Sequence, residues 1–117
     1  MAKPKVDRVG NKRWYNNTRQ YHRSDGPACI FTNGTNYWYQ NNKRHRVDGP
    51  AAEFKNGTKY WYQNGKTHRL DGPAMEHADG TSSYCINGQL LTKDEWNVHP
   101  LRKDYIIKEN LKSILHD

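Results

Sequence analysis

Large aliphatic side chains are scarce over most of this 117-residue chain: Ile30, Leu70 and Ile86 are the only leucines and isoleucines before residue 90. With 33% hydrophobic residues overall, a thick multilayer core is excluded and one small domain is expected. No apolar run approaches the roughly 18 residues of a membrane-spanning helix, and the opening Met-Ala-Lys-Pro-Lys lacks the apolar stretch of a signal peptide. Cysteine is nearly missing. Cys29 and Cys85 form neither a Cys-x-x-Cys nor a Cys/His ligand spacing, which argues against zinc and predicts reduced, partly buried thiols in a cytoplasmic protein. Acidic residues are lacking at one end. Residues 1–23 hold Lys3, Lys5, Arg8, Lys12, Arg13, Arg19 and Arg23 against Asp7 alone, which is most of the formal net charge of +7. A basic end of this kind suits an anionic partner: nucleic acid, nucleotide or an acidic protein face.

Aromatic residues stand where aliphatic ones are missing: four Trp, eight Tyr and two Phe, enough for a thin core. They recur with a period of 23 residues. His22-Arg23-x-Asp25-Gly26-Pro27-Ala28 returns as His45-Arg46-x-Asp48-Gly49-Pro50-Ala51 and His68-Arg69-x-Asp71-Gly72-Pro73-Ala74. Asn33-Gly34-Thr35, Asn56-Gly57-Thr58 and Asp79-Gly80-Thr81 keep the same phase, as do Trp38-Tyr39-Gln40-Asn41 and Trp61-Tyr62-Gln63-Asn64. Trp14-Tyr15-Asn16-Asn17 opens the series with one extra residue before His22, and Tyr84-Cys85-Ile86-Asn87-Gly88 closes it with tyrosine in place of tryptophan. Fixed periodicity of this length marks a repeat architecture.

Each unit reads as two strands and two turns. Asn56-Gly57 and Asp79-Gly80, between β-prone runs, predict hairpins in which both turn residues take positive φ, and Asn64-Gly65 and Asn87-Gly88 mark the next reversals. One predicted strand is Thr58–Gln63 and the other runs from about Ala74 to His77. Alternation sets Tyr60 and Tyr62 against Lys59, Trp61 and Gln63, and the face carrying Phe31 and Phe54 is the candidate core. The Asp-Gly-Pro turn has its own logic. An Asp normally accepts the N–H two residues on, but Pro27, Pro50 and Pro73 have none. Asp25, Asp48 and Asp71 must therefore find the repeat's Arg, its His or the Ala N–H, while Gly26, Gly49 and Gly72 are expected to supply unusual dihedrals.

These residues resemble MORN repeats, and more closely a divergent MORN-like form found in phage and bacterial proteins, written Trp-Tyr-x-Asn-Gly-Lys-x-His-Arg-x-Asp-Gly-Pro-Ala. Residues 61–74 match it nearly throughout and the resemblance spans about residues 14–90. It implies a mainly β fold: three to four tandem β-hairpin repeats in a twisted meander or solenoid sheet. His-Arg-x-Asp-Gly-Pro stands where ordinary MORN repeats have Gly-x-Gly, so lipid binding and scaffolding carry over weakly.

After Leu91, Thr92-x-x-Glu95 is a capping box that opens a short helix, Pro100 interrupts it, and a second helix carries Leu101, Ile107, Leu111, Ile114 and Leu115 in a stripe. Such a stripe is expected to seal the open end of the repeat stack. The chain thus divides into a basic segment 1–13, repeats 14–91 and a helical cap 92–117. A catalytic reading of His-Arg-x-Asp fails on its threefold repetition, since a catalytic site needs one distinct constellation; no enzyme, cofactor or metal is implied. The functional candidate is a recognition ladder. In a meander, equivalent residues lie two strands apart, so Arg23, Arg46 and Arg69 would form a row with His22, His45 and His68 beside it. Trp14, Trp38 and Trp61 would supply stacking surfaces, as in single-strand binders, unless they are core. Arg8, Lys12, Arg13 and Arg19 would extend the positive surface. The expectation is a non-enzymatic, phage-type accessory protein that acts stoichiometrically on nucleic acid, nucleotide or an acidic host protein in the host cytoplasm, to counter a host process or defence. The alternative is a protein–protein module, a homo-oligomer included, using the sheet edge or the C-terminal helix.

Overall fold

The computed structural model describes residues 3–116; Met1, Ala2 and Asp117 lie outside the described residues. The fold is a nine-stranded antiparallel meander followed by two helices. The sheet takes the hairpins β1 (Lys5–Val6) and β2 (Lys12–Arg13), β3 (Cys29–Ile30) and β4 (Asn36–Tyr37), β7 (Ala52–Glu53) and β8 (Lys59–Tyr60), then β11 (Met75–Glu76), β12 (Ser82–Ile86) and β13 (Gln89–Leu91). Residues 5–13, expected as a separate basic segment, are therefore the first hairpin of the sheet.

A second column of hairpins stands beside it. β5 (Tyr39–Gln40) pairs with β6 (Lys43–Arg44) and β9 (Tyr62–Gln63) with β10 (Lys66–Thr67), while the Tyr15–Tyr21 bridge and the end of β12 with β13 occupy the equivalent places. The expected continuous strand Thr58–Gln63 is thus broken at Trp61. Backbone hydrogen bonding explains the break. The Trp61 N–H donates to the Ala74 carbonyl at 2.7 Å and its carbonyl accepts from the His68 N–H at 3.0 Å, so Trp61 bonds within its own repeat and hinges the chain from one column to the other. Trp38 does the same with Ala51 and His45, and Trp14 with Ala28 and His22. Ala28, Ala51 and Ala74 sit beneath these hinges with 0% exposure.

The turns also divide into two kinds. At the column tips, Asn41-Asn42, Asn64-Gly65 and Asn87-Gly88 have positive φ at both residues, the two-residue hairpin geometry. In the sheet loops one glycine each is left-handed: Gly10 in the first, then Gly34, Gly57 and Gly80. In the last three the Oδ1 atoms of Asn33, Asn56 and Asp79 accept the N–H of the threonine two residues on, at 2.9–3.0 Å, and this local ring replaces the expected second positive φ.

Register fixes the two faces of the sheet. Lys5, Arg13, Cys29, Tyr37, Ala52, Tyr60, Met75 and Ser83 pair in one row across eight strands; Val6, Lys12, Ile30, Asn36, Glu53, Lys59, Glu76 and Ser82 form the row on the opposite face. On the first face the small Cys29 and Ala52 are buried, beside strands that carry the rings. Phe31, Tyr37, Phe54, Tyr60 and His77 meet edge to face at centroid distances of 5.4–5.9 Å. The tyrosines therefore join the phenylalanine face, which is half-buried rather than a sealed core. Burial pushes the Cys29 thiol up to about 11, so it is unreactive at neutral pH.

Helix α1 (Lys93–Asn97) opens on the complete Thr92–Glu95 capping box. Its Trp96 is buried, lies 4.8 Å from the Tyr84 ring and donates its indole N–H to the Arg69 carbonyl at 3.0 Å. Trp96 closes the stack. Helix α2 (Pro100–His116) does not: Leu101, Ile107, Leu111, Ile114 and Leu115 are all exposed. The helix turns Arg102 and Tyr105 inward, with the Arg102 guanidinium 4.3 Å from the Trp96 ring; the apolar stripe stays exposed, with Leu111 at the edge of the open groove between α2 and the second and third Asp-Gly-Pro turns. Among the described residues no helix is long and apolar enough to cross a membrane.

Candidate functional site

The His-Arg-x-Asp-Gly-Pro-Ala turns form three copies of one cassette. Arg23, Arg46 and Arg69 each place the guanidinium over their own repeat's Trp14, Trp38 or Trp61, 3.9 Å from the ring centroid. Nε donates to Asp25, Asp48 or Asp71 at 3.0, 3.1 and 2.7 Å. Nη1 donates to the carbonyl of Pro27, Pro50 or Pro73 at 3.1–3.2 Å. The Asp thus takes the arginine, one of the partners the missing proline N–H left to it. The Gly has a different role from the expected one. None of Gly26, Gly49 and Gly72 is left-handed; instead a Cβ there would meet the arginine Cζ at 2.7–2.8 Å. Glycine is required because the guanidinium is clamped between the indole and the turn.

Two further side chains complete the second and third cassettes. Glu53 and Glu76 accept from Nη1 of Arg46 and Arg69 at 3.3 and 3.0 Å. The first repeat has Ile30 at this position. The signal was readable in the sequence as a Glu seven residues after each of those arginines.

The three histidines are structural. Nδ1 of His22, His45 and His68 accepts the backbone N–H of Asn41, Asn64 and Asn87, at 3.1, 2.9 and 3.0 Å, in the next tip along. Each imidazole must be unprotonated at Nδ1, and each links two repeats. Burial, with His99 nearby, holds His68 below its ordinary value of 6.5.

The expected ladder is therefore geometrically present and chemically spent. Its arginines are compensated by carboxylates of their own repeats, and each tryptophan has a ring face covered by its own arginine. The other expected residues separate: Arg13 joins the tyrosine face, 5.2 Å from the Phe31 ring and paired with Asp7 at 3.1 Å. Lys12 lies on the opposite face, Arg8 in the β1–β2 turn and Arg19 in the first tip.

Uncompensated charge lies elsewhere. The four tips, residues 15–22, 39–45, 62–68 and 84–91, contain no Asp or Glu, and carry Arg19, Lys43, Arg44 and Lys66 among asparagines, glutamines and tyrosines. Arg44 stands 4.6 Å from the Tyr37 ring and 5.4 Å from that of Tyr62. Lys5 lies 5.5 Å from the Tyr15 ring, and Tyr15, Tyr21 and Tyr39 follow at 5.2 Å steps. The result is a half-exposed row of tyrosines carrying cations on the side of the molecule away from the cassette carboxylates. Arg44 was missed at the sequence level because Tyr21 and Thr67 hold its place in the neighbouring repeats. Compared with protein families, curated proteins and solved structures, the chain matches none.

Proposed function

We propose that this is a non-enzymatic, MORN-like binding module that acts stoichiometrically on an anionic partner, with nucleic acid or nucleotide as the leading class and an acidic protein face as the other. One observation carries the reading: cations are segregated. The second face pairs its arginines with Asp and Glu. On the tyrosine face and the tips only Arg13 has such a pair, with Asp7; Lys5 and Arg44 stand beside aromatic rings, and Lys43 and Lys66 in the tips, without a carboxylate partner among the described residues. Cations interleaved with aromatic rings favour unpaired bases and phosphates. The phage-type role, opposing a host process or defence from the host cytoplasm, draws on the repeat resemblance. Salt titration tests the reading. Labelled single-stranded DNA or RNA should bind at low ionic strength with affinity falling steeply as salt rises. Neutralising the exposed Lys5, Arg19, Lys43 and Lys66 together should weaken binding without lowering the melting temperature, because exposed charges contribute little to folding. Absence of any salt-dependent binding to DNA, RNA or nucleotides overturns it.

A second reading has its own observation, the exposed stripe of α2. A protein partner or a second copy would cover it, and sedimentation over a range of concentrations distinguishes self-association from a monomer.

A further inference from the structure

The anionic-partner reading leaves open where a phosphate would be held, and the inference here rests on that reading. We propose that Arg44, together with the hydroxyls of Tyr39 and Tyr62, forms a phosphate-binding subsite for single-stranded nucleic acid. Arg44 Nε donates to the Tyr39 hydroxyl and Nη1 to the Tyr62 hydroxyl, both at 3.4 Å. These contacts are long and their acceptors are neutral, in contrast to the 2.7–3.1 Å bonds from the cassette arginines to their aspartates. A guanidinium has five N–H donors, so most of those on Arg44 remain for a ligand. Each tyrosine hydroxyl that accepts from Arg44 keeps its own proton to donate. Fork and hydroxyls together offer hydrogen bonds from several directions, which suits the non-coplanar oxygens of a phosphate better than the two of a carboxylate.

Placement supports the assignment. Tyr39 belongs to the same repeat as Arg44 and Tyr62 to the next, so the donors converge only where two repeats stack. The site is also where the repetition breaks: Tyr21 and Thr67 occupy the position of Arg44 in the other repeats. Structural residues recur in every copy; a binding site needs one distinct constellation. Tyr21 lies 5.2 Å from Tyr39 and is half-buried. Ring surface next to a phosphate donor selects unpaired bases, since duplex bases present no free face.

The test is fluorescence anisotropy with a short fluorescein-labelled oligothymidylate, across a range of salt, with polyglutamate as competitor. Arg44→Gln should weaken binding by at least about tenfold and reduce the log–log salt slope by about one, the signature of one lost phosphate contact. Tyr39→Phe with Tyr62→Phe keeps both rings and should lower affinity severalfold at unchanged melting temperature. It carries the test should Arg44→Gln fail to fold. Wild type that binds with a steep salt slope while these variants bind equally well sinks the subsite and leaves the broader reading standing. Wild type that binds no oligonucleotide sinks both, and displacement by polyglutamate at matched charge overturns the choice of phosphate.

Discussion

The cassettes and helix α2 treat their side chains in opposite ways. In the second and third cassettes, Arg46 and Arg69 each have an indole beneath them, a glycine above and three oxygen partners at the edges. Along α2 the apolar stripe faces solvent, and Ile114 and Leu115 are 70% and 80% exposed. The difference teaches what repetition specifies. A side chain repeated in every copy meets partners repeated with it; the stripe on α2 recurs nowhere and stays exposed.

Substitutions can break that comparison most sharply at the junction of the two regions. Trp96→Ala removes the buried ring that closes the stack, its contact with Tyr84 and its bond to the Arg69 carbonyl. A loss of about 3–4 kcal/mol is expected, measured by chemical denaturation. Leu111→Ser, on the exposed stripe, should leave stability within about 0.5 kcal/mol of wild type. Truncation after Thr92 should accordingly be far more damaging than truncation after His99, which keeps Trp96. Equal losses would show that α2, and not α1, is the cap.

Next in size is the clamp. Gly49→Ala would place a Cβ 2.7 Å from Arg46 Cζ, and the guanidinium cannot retreat because Trp38 lies 3.9 Å below it. Arg46 must leave its stack and several of its hydrogen bonds, for an expected cost of about 2–3 kcal/mol. Gly49→Ala with Arg46→Ala should then cost little more than Arg46→Ala alone. If both substitutions add fully, the glycine serves something other than the arginine.

Local chemistry was legible in the sequence, and packing was not. The 23-residue phase, the tips and the Thr92–Glu95 box could be read because turn and cap residues act on atoms two or three positions away. The hinge at Trp61 could not, because an alternating pattern does not reveal that its N–H goes to Ala74. The need for Gly49 was visible, but its cause lay in a contact with Arg46. The stripe on α2 was readable as a period, but periodicity does not say which way a helix is turned. At the candidate site the repeated arginines drew the eye and proved to be the paired ones; Arg44, which occurs in one repeat alone, has no carboxylate partner among the described residues.

Acid should loosen the seams between repeats by a smaller amount. His68 is neutral at Nδ1, where it accepts the Asn87 N–H, and its folded value lies below the ordinary 6.5. Between the two values the unfolded chain binds more protons, so stability is full above about 6.5 and falls as the pH drops below it. The melting temperature should be flat from neutral pH upward and decline towards pH 5. In His68→Gln that decline should be shallower. An identical pH profile would exclude His68 as its source.

The smallest effect belongs to the aspartates, and it returns the comparison to the cassettes themselves. The Asp48 side chain is 83% exposed, so its ion pair with Arg46 is of the kind that contributes between zero and about 1 kcal/mol. Asp48→Ala should therefore fall in that range, because Arg46 keeps the Pro50 carbonyl, Glu53 and the Trp38 ring. The first cassette keeps the Pro27 carbonyl and the Trp14 ring but lacks the glutamate. Ile30 stands in the place of Glu53, leaving Arg23 with Asp25 as its only carboxylate among the described residues. Asp25→Ala should lower the melting temperature more than Asp48→Ala does, and Ile30→Glu should reverse that excess. Equal shifts for the two aspartates, unaffected by Ile30→Glu, would mean that the glutamates are bystanders and that the indole stack alone holds each arginine in place.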